Sequence, residues 1–565
     1  MRKLLLLSVL FTLFAPCLHA ANSGWLLYTW SDSKNQGGDL GQFQTTDVEG
    51  VFVLKAVQTA ENRLKFCVRN GNWSTQYAYS QGEEGKVWLT GTDVSLGTSR
   101  SANGLIYLAA GTYDVTFNLN NKTIRFDIVD QEHEEYQMPD LGTDFLRGGD
   151  VSMLNYVEGL GAKFYTADDT QKDPLDIMTE NGCNIVRLRL YNNPGASVTY
   201  GGNTYKVPEG YLNDADVLNL ARRVKEKGLR IELSFHYSDF WTNGMEQFKP
   251  RDWQSLTFDE LKQAVYNYTK TFLQHMVAQG TTPEFISLGN EIQNGMLFGY
   301  NTDNTRDAVS GYSIDNQAAL LNEGVRAVRE VCQQSKIVLH FTMNSQWKTN
   351  LYVRQLNLFK NRRLDYDIIG VSYYPFWTNE RPSYLNDMAN TLWQNFQKPM
   401  LIMETGYSWD PYRSVGRNGG QYKGQLELNG TPYNEASKEG QKSFMQEVNA
   451  VVKGNSHILG YLYWDPIMVD QKVGGRWIET AWAMKYDGSK WWQDGNVVSN
   501  TTWFDFDGKA LPVLEAIKEA APTGISLIEA PSLLSERNIY TLSGQKVKTP
   551  GRGLYIIDGR KVVVK

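Results

Sequence analysis

The stretch Ser287–Phe298, SLGNEIQNGMLF, places an amide and a carboxylate at the end of a short apolar run. The run starts at Glu284, and Gly289 separates it from Asn290 and Glu291. A short apolar run bounded by glycine and polar residues is typical of a buried strand. One acid at the end of a strand is weak support for catalysis, so the decisive question is whether another strand also ends in an acid.

Strand-like and helix-like patterns alternate from about residue 145 to 520, and eight pairs can be counted. The strand patterns are Phe145–Met153, Asn184–Tyr191, Arg230–Ser238, Glu284–Ile292, Lys336–Asn344, Tyr366–Tyr374, Pro399–Tyr407 and Ile458–Asp465. The clearest helical patterns are Ala215–Lys227, Phe258–Ala278, Asp315–Val331, Ser437–Val452 and Leu511–Ala520. Eight such units predict an α/β fold, a (β/α)8 or TIM barrel with long loops. A doubly wound sheet is the alternative, but it rarely needs eight units.

Further segments flank the predicted barrel, which we place at residues 136–522. Residues 1–20 have a basic start and a short apolar stretch, which predict a signal peptide and a secreted or cell-surface protein. Cys17 leaves a lipoprotein as an alternative. Residues 21–135 show short alternating runs typical of an all-β sandwich, and the acidic Gln131–Asp140 reads as a linker. Residues 523–565 form a small β-rich tail.

Composition excludes several classes of protein. The 565 residues carry a net charge of -6, which offers no basic surface for nucleic acid. No run after the N-terminus is long enough to cross a membrane. The three remaining cysteines are too few and too scattered for a disulfide scaffold or a zinc site. The 16 Trp and 31 Tyr suit stacking on sugar rings, although most will be core.

The predicted strand seven supplies the second acid. Its sequence, LIMETGYSW from Leu401 to Trp409, carries Glu404 where strand four carries Glu291. Strands four and seven stand on opposite sides of an eight-stranded barrel, so the two carboxyl groups can meet across its mouth. A separation of about 5–5.5 Å would suit a retaining glycoside hydrolase, whereas an inverting enzyme needs more room. The alternative is that both acids only cap their strands.

Motifs on successive strands narrow the assignment. They are Gly149-Asp150-Val-Ser152, Val186-Arg187-Leu-Arg189, Phe235-His236-Tyr237-Ser238-Asp239-Phe-Trp241, Gly289-Asn290-Glu291, Tyr373-Tyr374-Pro375-Phe-Trp377, Glu404-Thr-Gly-Tyr407 and Tyr463-Trp464-Asp465-Pro466. From about Asp144 to Ala520 the chain resembles the family 53 endo-β-1,4-galactanases, which are retaining (β/α)8 glycosidases. The resemblance implies cleavage of galactan and arabinogalactan, as in the side chains of pectin.

The resemblance also implies roles for individual residues. Glu291 matches the general acid/base and Glu404 the nucleophile. Asn290 matches the amide that binds the 2-hydroxyl of the sugar, Arg189 would keep Glu404 ionised, and either Tyr373 or Tyr374 would orient Glu404. The remaining candidates for substrate binding are His236, Asp239, Trp241, Trp347, Trp377 and Trp464.

Departures from the family and rival functions qualify this hypothesis. After Trp241 the chain reads Thr-Asn-Gly-Met-Glu, where the family usually continues Ala-Asp-Pro. Some bacterial relatives hold a structural calcium after strand seven, but the region from Trp409 shows no cluster of ligands, so no cofactor is expected to be required and calcium stays a possibility that this loop does not support. The expected partner is a polysaccharide and the expected state a monomer. A mannanase or glucanase of the same clan, or a non-catalytic glycan-binding protein, remain alternatives.

The N-terminal region has a resemblance of its own. Gly111–Asn120 is similar to outer β-sandwich modules of Bacteroidetes glycan-binding surface lipoproteins. It is therefore a candidate carbohydrate-binding module, with Trp25, Trp30, Trp73 and Tyr77 either forming a sugar platform or packing the core.

Overall fold

The chain divides into two compact units, with the boundary between residues 134 and 135. The computed structural model describes residues 22–129, with gaps at 32–35, 60–64, 72–73, 79–92 and 99–110. It describes residues 144–521, with gaps at 196–197, 201–202, 300–308, 345–347, 411–435, 475, 479–483 and 486–497, and five short segments beyond them. The predicted signal peptide, Cys17, the linker Gln131–Asp140 and Trp347 lie outside the described residues.

Eight parallel strands close into a barrel in the second unit. Barrel strands one to eight are Leu146–Asp150, Ile185–Leu190, Arg230–Phe235, Phe285–Leu288, Lys336–Thr342, Ile368–Ser372, Met400–Thr405 and Ile458–Tyr463. Each pairs with the next in sequence, and strand eight pairs with strand one, for example Gly460 with Leu146. The predicted (β/α)8 barrel is confirmed, and closure excludes the doubly wound sheet.

The interior of the barrel changes from apolar to polar along the strands. At one level a fully buried cluster joins seven strands: Leu146, Ile185, Phe285, Val338, Ile368, Leu401, Met403 and Leu462. Side chains two residues apart on a strand share a face. Ile185 in this cluster is therefore followed on the same face by Arg187 and Arg189, and Val338 by His340. The apolar level fixes the strands, and the charged residues above it form the floor of a site.

Helices surround the barrel, with these bounds: Leu154–Gly159, Pro174–Glu180, Asp214–Glu226, Phe258–Ala278, Ile314–Val331, Thr349–Asn361, Pro375–Thr378, Tyr384–Phe396, Lys438–Gly454 and Val513–Ala520. The three longest helices start at polar caps, whose side chains accept hydrogen bonds from otherwise unpaired backbone N–H groups. Thr257 and Glu260 form a reciprocal capping box, and Ser313 and Ser437 cap two further helices. Within the described residues no helix is both long and apolar enough to span a bilayer.

Short elements complete the second unit. Two 3-10 turns cover Arg251–Trp253 and Ile292–Asn294. A three-stranded sheet is formed by Val198–Tyr200, Asn203–Lys206 and Met484–Lys485. A two-stranded sheet pairs Gln471–Val473 with Arg476–Ile478. The C-terminal segments Ser526–Ile528, Ile539–Thr541, Lys546–Val547, Gly553–Ile557 and Arg560–Val564 form a five-stranded sheet. The β-rich tail of the sequence analysis is thus a sheet of its own.

The first unit is an antiparallel sheet of eight strands: Asn22–Ser31, Gln36–Thr45, Val51–Thr59, Lys65–Asn70, Gln76–Ala78, Val94–Ser95, Gly111–Asn118 and Thr123–Ile128. It curves over itself so that its halves face each other as the layers of a sandwich do. Phe66 and Phe126, on strands that are not neighbours, contact across the core with ring centroids 5.0 Å apart. Ala78 and Gly97 exchange hydrogen bonds of 2.8 and 2.9 Å, which join the two ends of the sheet.

Aromatic residues proposed as a sugar platform take part in this core. Trp25 lies 5.7 Å from Tyr77 and 5.4 Å from Phe117, measured between ring centroids. Both Trp25 and Tyr77 are partly buried against the cluster of apolar residues. This favours the core role for these two; Trp73 and the side chain of Trp30 lie outside the described residues.

Candidate active site

The carboxyl groups of Glu291 and Glu404 meet at the mouth of the barrel. An oxygen of each lies within 4.8 Å of the other, and both residues are more than nine-tenths buried. A pair that activates water between its members needs about 6.5–9.5 Å, so this spacing fits direct attack by one carboxylate. A ring nitrogen of His340 lies within the same 4.8 Å. Three such atoms have the spacing of metal ligands, but the guanidinium of Arg187 beside Glu404 would repel a cation.

Backbone geometry directs Glu291 into this position. Strand four ends at Leu288 instead of the predicted Ile292, because Gly289 adopts a φ of +93° and Glu291 a φ of +51°. A Cβ at Gly289 would meet the Cγ2 atom of Ile292 at 2.5 Å, so only glycine fits there. A left-handed conformation at a non-glycine residue costs about 1–3 kcal/mol and is concentrated at functional sites. Strand four therefore ends just before Glu291, and the change of backbone direction there turns the side chain of Glu291 into the site.

Two hydrogen-bond donors hold Glu404. Arg187 Nη1 donates to Oε1 at 2.5 Å, and the hydroxyl of Tyr374 donates to Oε2 at 3.0 Å. Arg187 is thus the arginine in direct contact with Glu404, whereas the predicted Arg189 acts on Glu404 only through its charge at longer range. Arg189 instead lies 2.9 Å from Asp150 and 3.8 Å from Asp465. Both arginines face the interior, but Arg189 stands nearer the strand end, beside the acids of strands one and eight.

The choice between the two adjacent tyrosines is also settled by contacts. Neighbouring residues on an extended chain face opposite ways. Tyr373 donates to the carbonyl oxygen of Glu380 at 2.7 Å and stacks over Phe444, so it faces the outer helices. Tyr374 faces inward and is the one that contacts Glu404.

Among the described residues, every hydrogen-bond donor to Glu291 is neutral. The backbone N–H of Gly244 donates to its Oε2 at 3.0 Å, and the hydroxyls of Ser372 and Thr342 also act on the carboxyl. Burial, together with the negative charge of Glu404, raises the pKa of Glu291 to about 7 against the opposing effect of these donors. A Cβ at Gly244 would meet the Nε2 atom of Gln293 at 2.0 Å. The loop that departs from the family pattern thus supplies a backbone donor to Glu291, and its glycine leaves room for the side-chain amide of Gln293.

Asn290 is tied to both sides of the site. Its Oδ1 accepts from Arg187 Nη2 at 2.6 Å, and its Nδ2 donates to the carbonyl oxygen of Thr242 at 2.7 Å. An amide nitrogen carries two hydrogens, so one remains for a sugar hydroxyl. Arg187 therefore links the nucleophile candidate to the residue beside the acid candidate.

His236 and Asp239 are buried after strand three. His236 Nδ1 lies 3.0 Å from the Thr242 hydroxyl, and its ring packs edge-on against Tyr191 at 4.8 Å. Burial, reinforced by Arg187 and Arg189, lowers the pKa of His236 well below its ordinary value, so the ring is neutral. Asp239 accepts from the backbone N–H of Arg251 at 2.8 Å, and burial raises its pKa to about 7. Its described contacts anchor this loop and involve neither Glu291 nor Glu404.

Aromatic rings stand beside Glu404. Trp377 is 38% exposed and lies 5.3 Å from the ring of Tyr374, and Trp464 lies 6.4 Å from the same ring. Trp241 is partly buried against Phe240 at 5.5 Å. The exposed face of Trp377 is the one best placed to stack on a sugar.

Several residues of the site were not predicted from the sequence. They are Glu232, Ser234, His340, Thr342 and Ser372, all buried. Their signal was a polar residue on the inward face of an otherwise apolar strand, repeated at alternate positions only for Glu232 and Ser234 and for His340 and Thr342. Ser234 accepts from Arg187 at 3.2 Å, and Ser372 lies 2.8 Å from His340 Nε2.

Comparison with known proteins gives consistent matches. Residues 146–517 match the model of glycosyl hydrolase family 53. An endo-β-1,4-galactanase of Bacillus subtilis (strain 168) is 31% identical over 401 residues, which cover 67% of this chain and 87% of that protein. An arabinogalactan endo-β-1,4-galactanase of Cellvibrio japonicus (strain Ueda107) is 31% identical over 382 residues, covering 66% and 89%. The solved GH53 catalytic domain of Ignisphaera aggregans superposes with a TM-score of 0.56 at 30% identity, covering 68% of this chain and 98% of that one.

Proposed function

Because the chain belongs to glycosyl hydrolase family 53 and is a glycosidase, we propose that it cleaves internal β-1,4-galactosidic linkages with retention of configuration. Its substrates would be galactan and the arabinogalactan side chains of pectin, and its products galacto-oligosaccharides. Relatives named as galactanases support this specificity. The observation that carries the mechanism is the pair of carboxyl groups within 4.8 Å of each other in unlike surroundings.

In the first step Glu404 is the nucleophile and Glu291 the acid. A carboxylate oxygen of Glu404 bonds to the anomeric carbon as the glycosidic C–O bond breaks, and Glu291 gives its proton to the departing oxygen. Glu291 is suited to this role because burial keeps it protonated near neutral pH. Arg187 and Tyr374 hold the two carboxyl oxygens of Glu404 in place, one by a charged and one by a neutral hydrogen bond.

In the second step water releases the sugar. Once Glu404 is esterified it no longer carries a negative charge, and one cause of the raised pKa of Glu291 disappears. Glu291 then takes a proton from water, whose oxygen bonds to the anomeric carbon while the bond to Glu404 breaks. The pair returns to its starting state, and this chemistry uses no organic cofactor.

Further residues would bind the sugar. The free amide hydrogen of Asn290 would bond the 2-hydroxyl, a contact that strengthens as the ring approaches an oxocarbenium ion. Trp377 and Trp464 would stack on sugar faces near Glu404, each contact stabilising the complex by about 1 kcal/mol. His236 and Trp241 would line the wall of the same cleft.

Release of reducing ends from purified β-1,4-galactan, mannan and β-glucan tests the proposal. Wild type should act on galactan, and Glu404→Gln should lose at least about 10⁴-fold in rate. Glu515→Gln, which removes a surface acid paired with Lys442, is the matched control and should keep full activity. Preference for mannan or glucan would indicate another activity of the clan. Binding without release would indicate a glycan-binding protein, and unchanged activity in Glu404→Gln would remove the nucleophile.

We also propose that the protein is exported and acts as a monomer. Export is supported by the basic start and apolar stretch of residues 1–20, whether the chain is secreted or held at the cell surface. A single chain already supplies the acid pair and its described donors, so the proposed chemistry requires no second copy. Mass measurement by light scattering, and fractionation of cells that make the protein, test the two statements.

A further inference from the structure

His340 and Ser372 line the side of Glu291 that faces strands five and six. Both are fully buried, and His340 Nε2 lies 2.8 Å from the hydroxyl oxygen of Ser372. The hydroxyl of Ser372 acts in turn on the carboxyl of Glu291. The two steps of hydrolysis leave this His340–Ser372 pair without a role, although a ring nitrogen of His340 lies within 4.8 Å of both carboxyl groups.

The direction of the hydrogen bond between His340 and Ser372 depends on which ring nitrogen of His340 carries the hydrogen. A serine hydroxyl has one hydrogen to donate. If His340 carries its hydrogen on Nδ1, Ser372 must donate to Nε2 and has none left for Glu291. If His340 carries it on Nε2, Ser372 accepts that bond and can donate to Glu291.

The surroundings of His340 favour the second arrangement. Among the described residues, Nδ1 of His340 has no hydrogen-bond partner. A buried N–H without an acceptor is rarer than a buried lone pair without a donor. This favours the hydrogen on Nε2, which leaves the hydrogen of Ser372 available for Glu291.

Nearby charges keep this arrangement fixed. Burial, with the positive charge of Arg187 from strand two, lowers the pKa of His340 well below its ordinary value. The ring of His236 also faces it, and both carboxyl groups stand within 4.8 Å. Glu291 itself faces Glu404 and, from the helix Thr349–Asn361, the phenol of Tyr352. The imidazole is thus neutral at working pH and directs a hydrogen bond without titrating.

We propose that His340 is a positioning residue, whose Nε2–H holds the Ser372 hydroxyl with its hydrogen directed at Glu291. The inference rests on the proposed role of Glu291 as acid/base. The hydroxyl then favours the ionised form of Glu291, which must accept a proton from water in the second step. His340 touches no reacting atom and acts through Ser372.

The pH dependence of kcat/KM on galactan tests this. Glu291 must be protonated in the free enzyme, so activity is lost as the pH rises through its pKa. Ser372→Ala should move this alkaline limb upward by about half a unit to one unit, because a donor to the charged form is lost. His340→Phe should move it upward by less, and His340→Gln, whose amide N–H can replace Nε2–H, should leave it in place. The double variant Ser372→Ala/His340→Phe should match Ser372→Ala alone.

An unmoved limb in Ser372→Ala would overturn the inference, as would a His340→Phe shift that persists when Ser372 is absent. Partial unfolding lowers the height of the profile without moving its limb, so a fold defect is distinguishable; thermal unfolding of each variant checks it. Glu291→Gln separates the two levels of proposal. If that variant keeps the wild-type profile, the role of Glu291 fails. If it is inactive while Ser372→Ala shows no shift, only the positioning role fails.

Discussion

The surroundings of Glu404 and of Glu291 differ in one respect, the charge of their donors. Glu404 faces the guanidinium of Arg187 and the phenol of Tyr374. Glu291, at a similar depth, has a backbone N–H and two aliphatic hydroxyls. A cation favours the ionised form of a buried acid far more than neutral donors do. Two glutamates with the same chemistry thus acquire opposite tasks from what the neighbouring strands place beside them.

Removal of the cation should have the largest effect. Arg187→Met leaves Glu404 without its charged partner, and a buried partner of this kind is worth about 3–5 kcal/mol. We expect kcat/KM on galactan to fall by on the order of 10³-fold. Arg189→Met, which unpairs Asp150 and Asp465 instead, is the matched control and should lose stability more than activity in thermal unfolding and rate assays. An equal loss of activity in both variants would erase the distinction drawn between the arginines.

Loss of the neutral donor to Glu404 should matter less. Tyr374→Phe removes one hydrogen bond of 3.0 Å to a carboxylate, so kcat/KM should fall by about 10- to 100-fold. Tyr373→Phe is its neighbour and control: that hydroxyl donates to the carbonyl of Glu380, away from Glu404, so its loss should leave the rate within about threefold. If Tyr373→Phe proves the more damaging variant in steady-state kinetics, the assignment of the two tyrosines is reversed.

The smallest effect concerns stability and has opposite signs at the two acids. Folding raises the pKa of Glu291 from 4.5 to about 7. Between pH 4.5 and pH 7 the folded protein therefore keeps a proton on Glu291 that the unfolded chain has lost. Stability from this group is complete below pH 4.5 and is lost as the pH rises through 7. In urea titrations, the free energy of unfolding of Glu291→Gln should therefore exceed that of wild type by about 1–2 kcal/mol at pH 8. At pH 4 the two proteins should be equally stable.

Glu404→Gln supplies the contrast in the same urea titrations. It leaves Arg187 buried with a weaker partner, so it should be less stable than wild type at pH 8. A gain of stability in both variants, or in neither, would show that the two pockets do not differ in the way their donors suggest.

Much of the architecture was readable from periodicity. Eight apolar runs with polar ends predicted the closed barrel, and the acids Glu291 and Glu404 followed from counting strands. Strand four was predicted too long, because positive φ at Gly289 and Glu291 ends it while the apolar pattern continues through Ile292. The alternation of apolar and polar residues predicts which face of a strand a residue lies on, but not where the strand ends.

The same alternation explains why Arg189 was predicted where Arg187 makes the direct contact. Arg187 and Arg189 share a face, so the pattern cannot say which one reaches strand seven. That choice depends on Asp150 and Asp465, acids that come from strands one and eight and lie far apart in the sequence. His340 and Ser372 were missed for a related reason, since a single polar residue in an apolar strand gives no hint of the partner it will meet.

One guanidinium joins strand two to Ser234, Asn290 and Glu404, three points around the rim of the barrel. Because this side chain holds both Glu404 and Asn290, the neighbour of Glu291, the two carboxyl groups should have little freedom to approach or separate during turnover. We therefore expect the pyranose ring, and not the enzyme, to distort along the reaction coordinate, as it flattens between two carboxyl groups that stay in place. A stiff enzyme of this kind should select among polymers by how readily their rings bend, as well as by the pattern of hydroxyls they display.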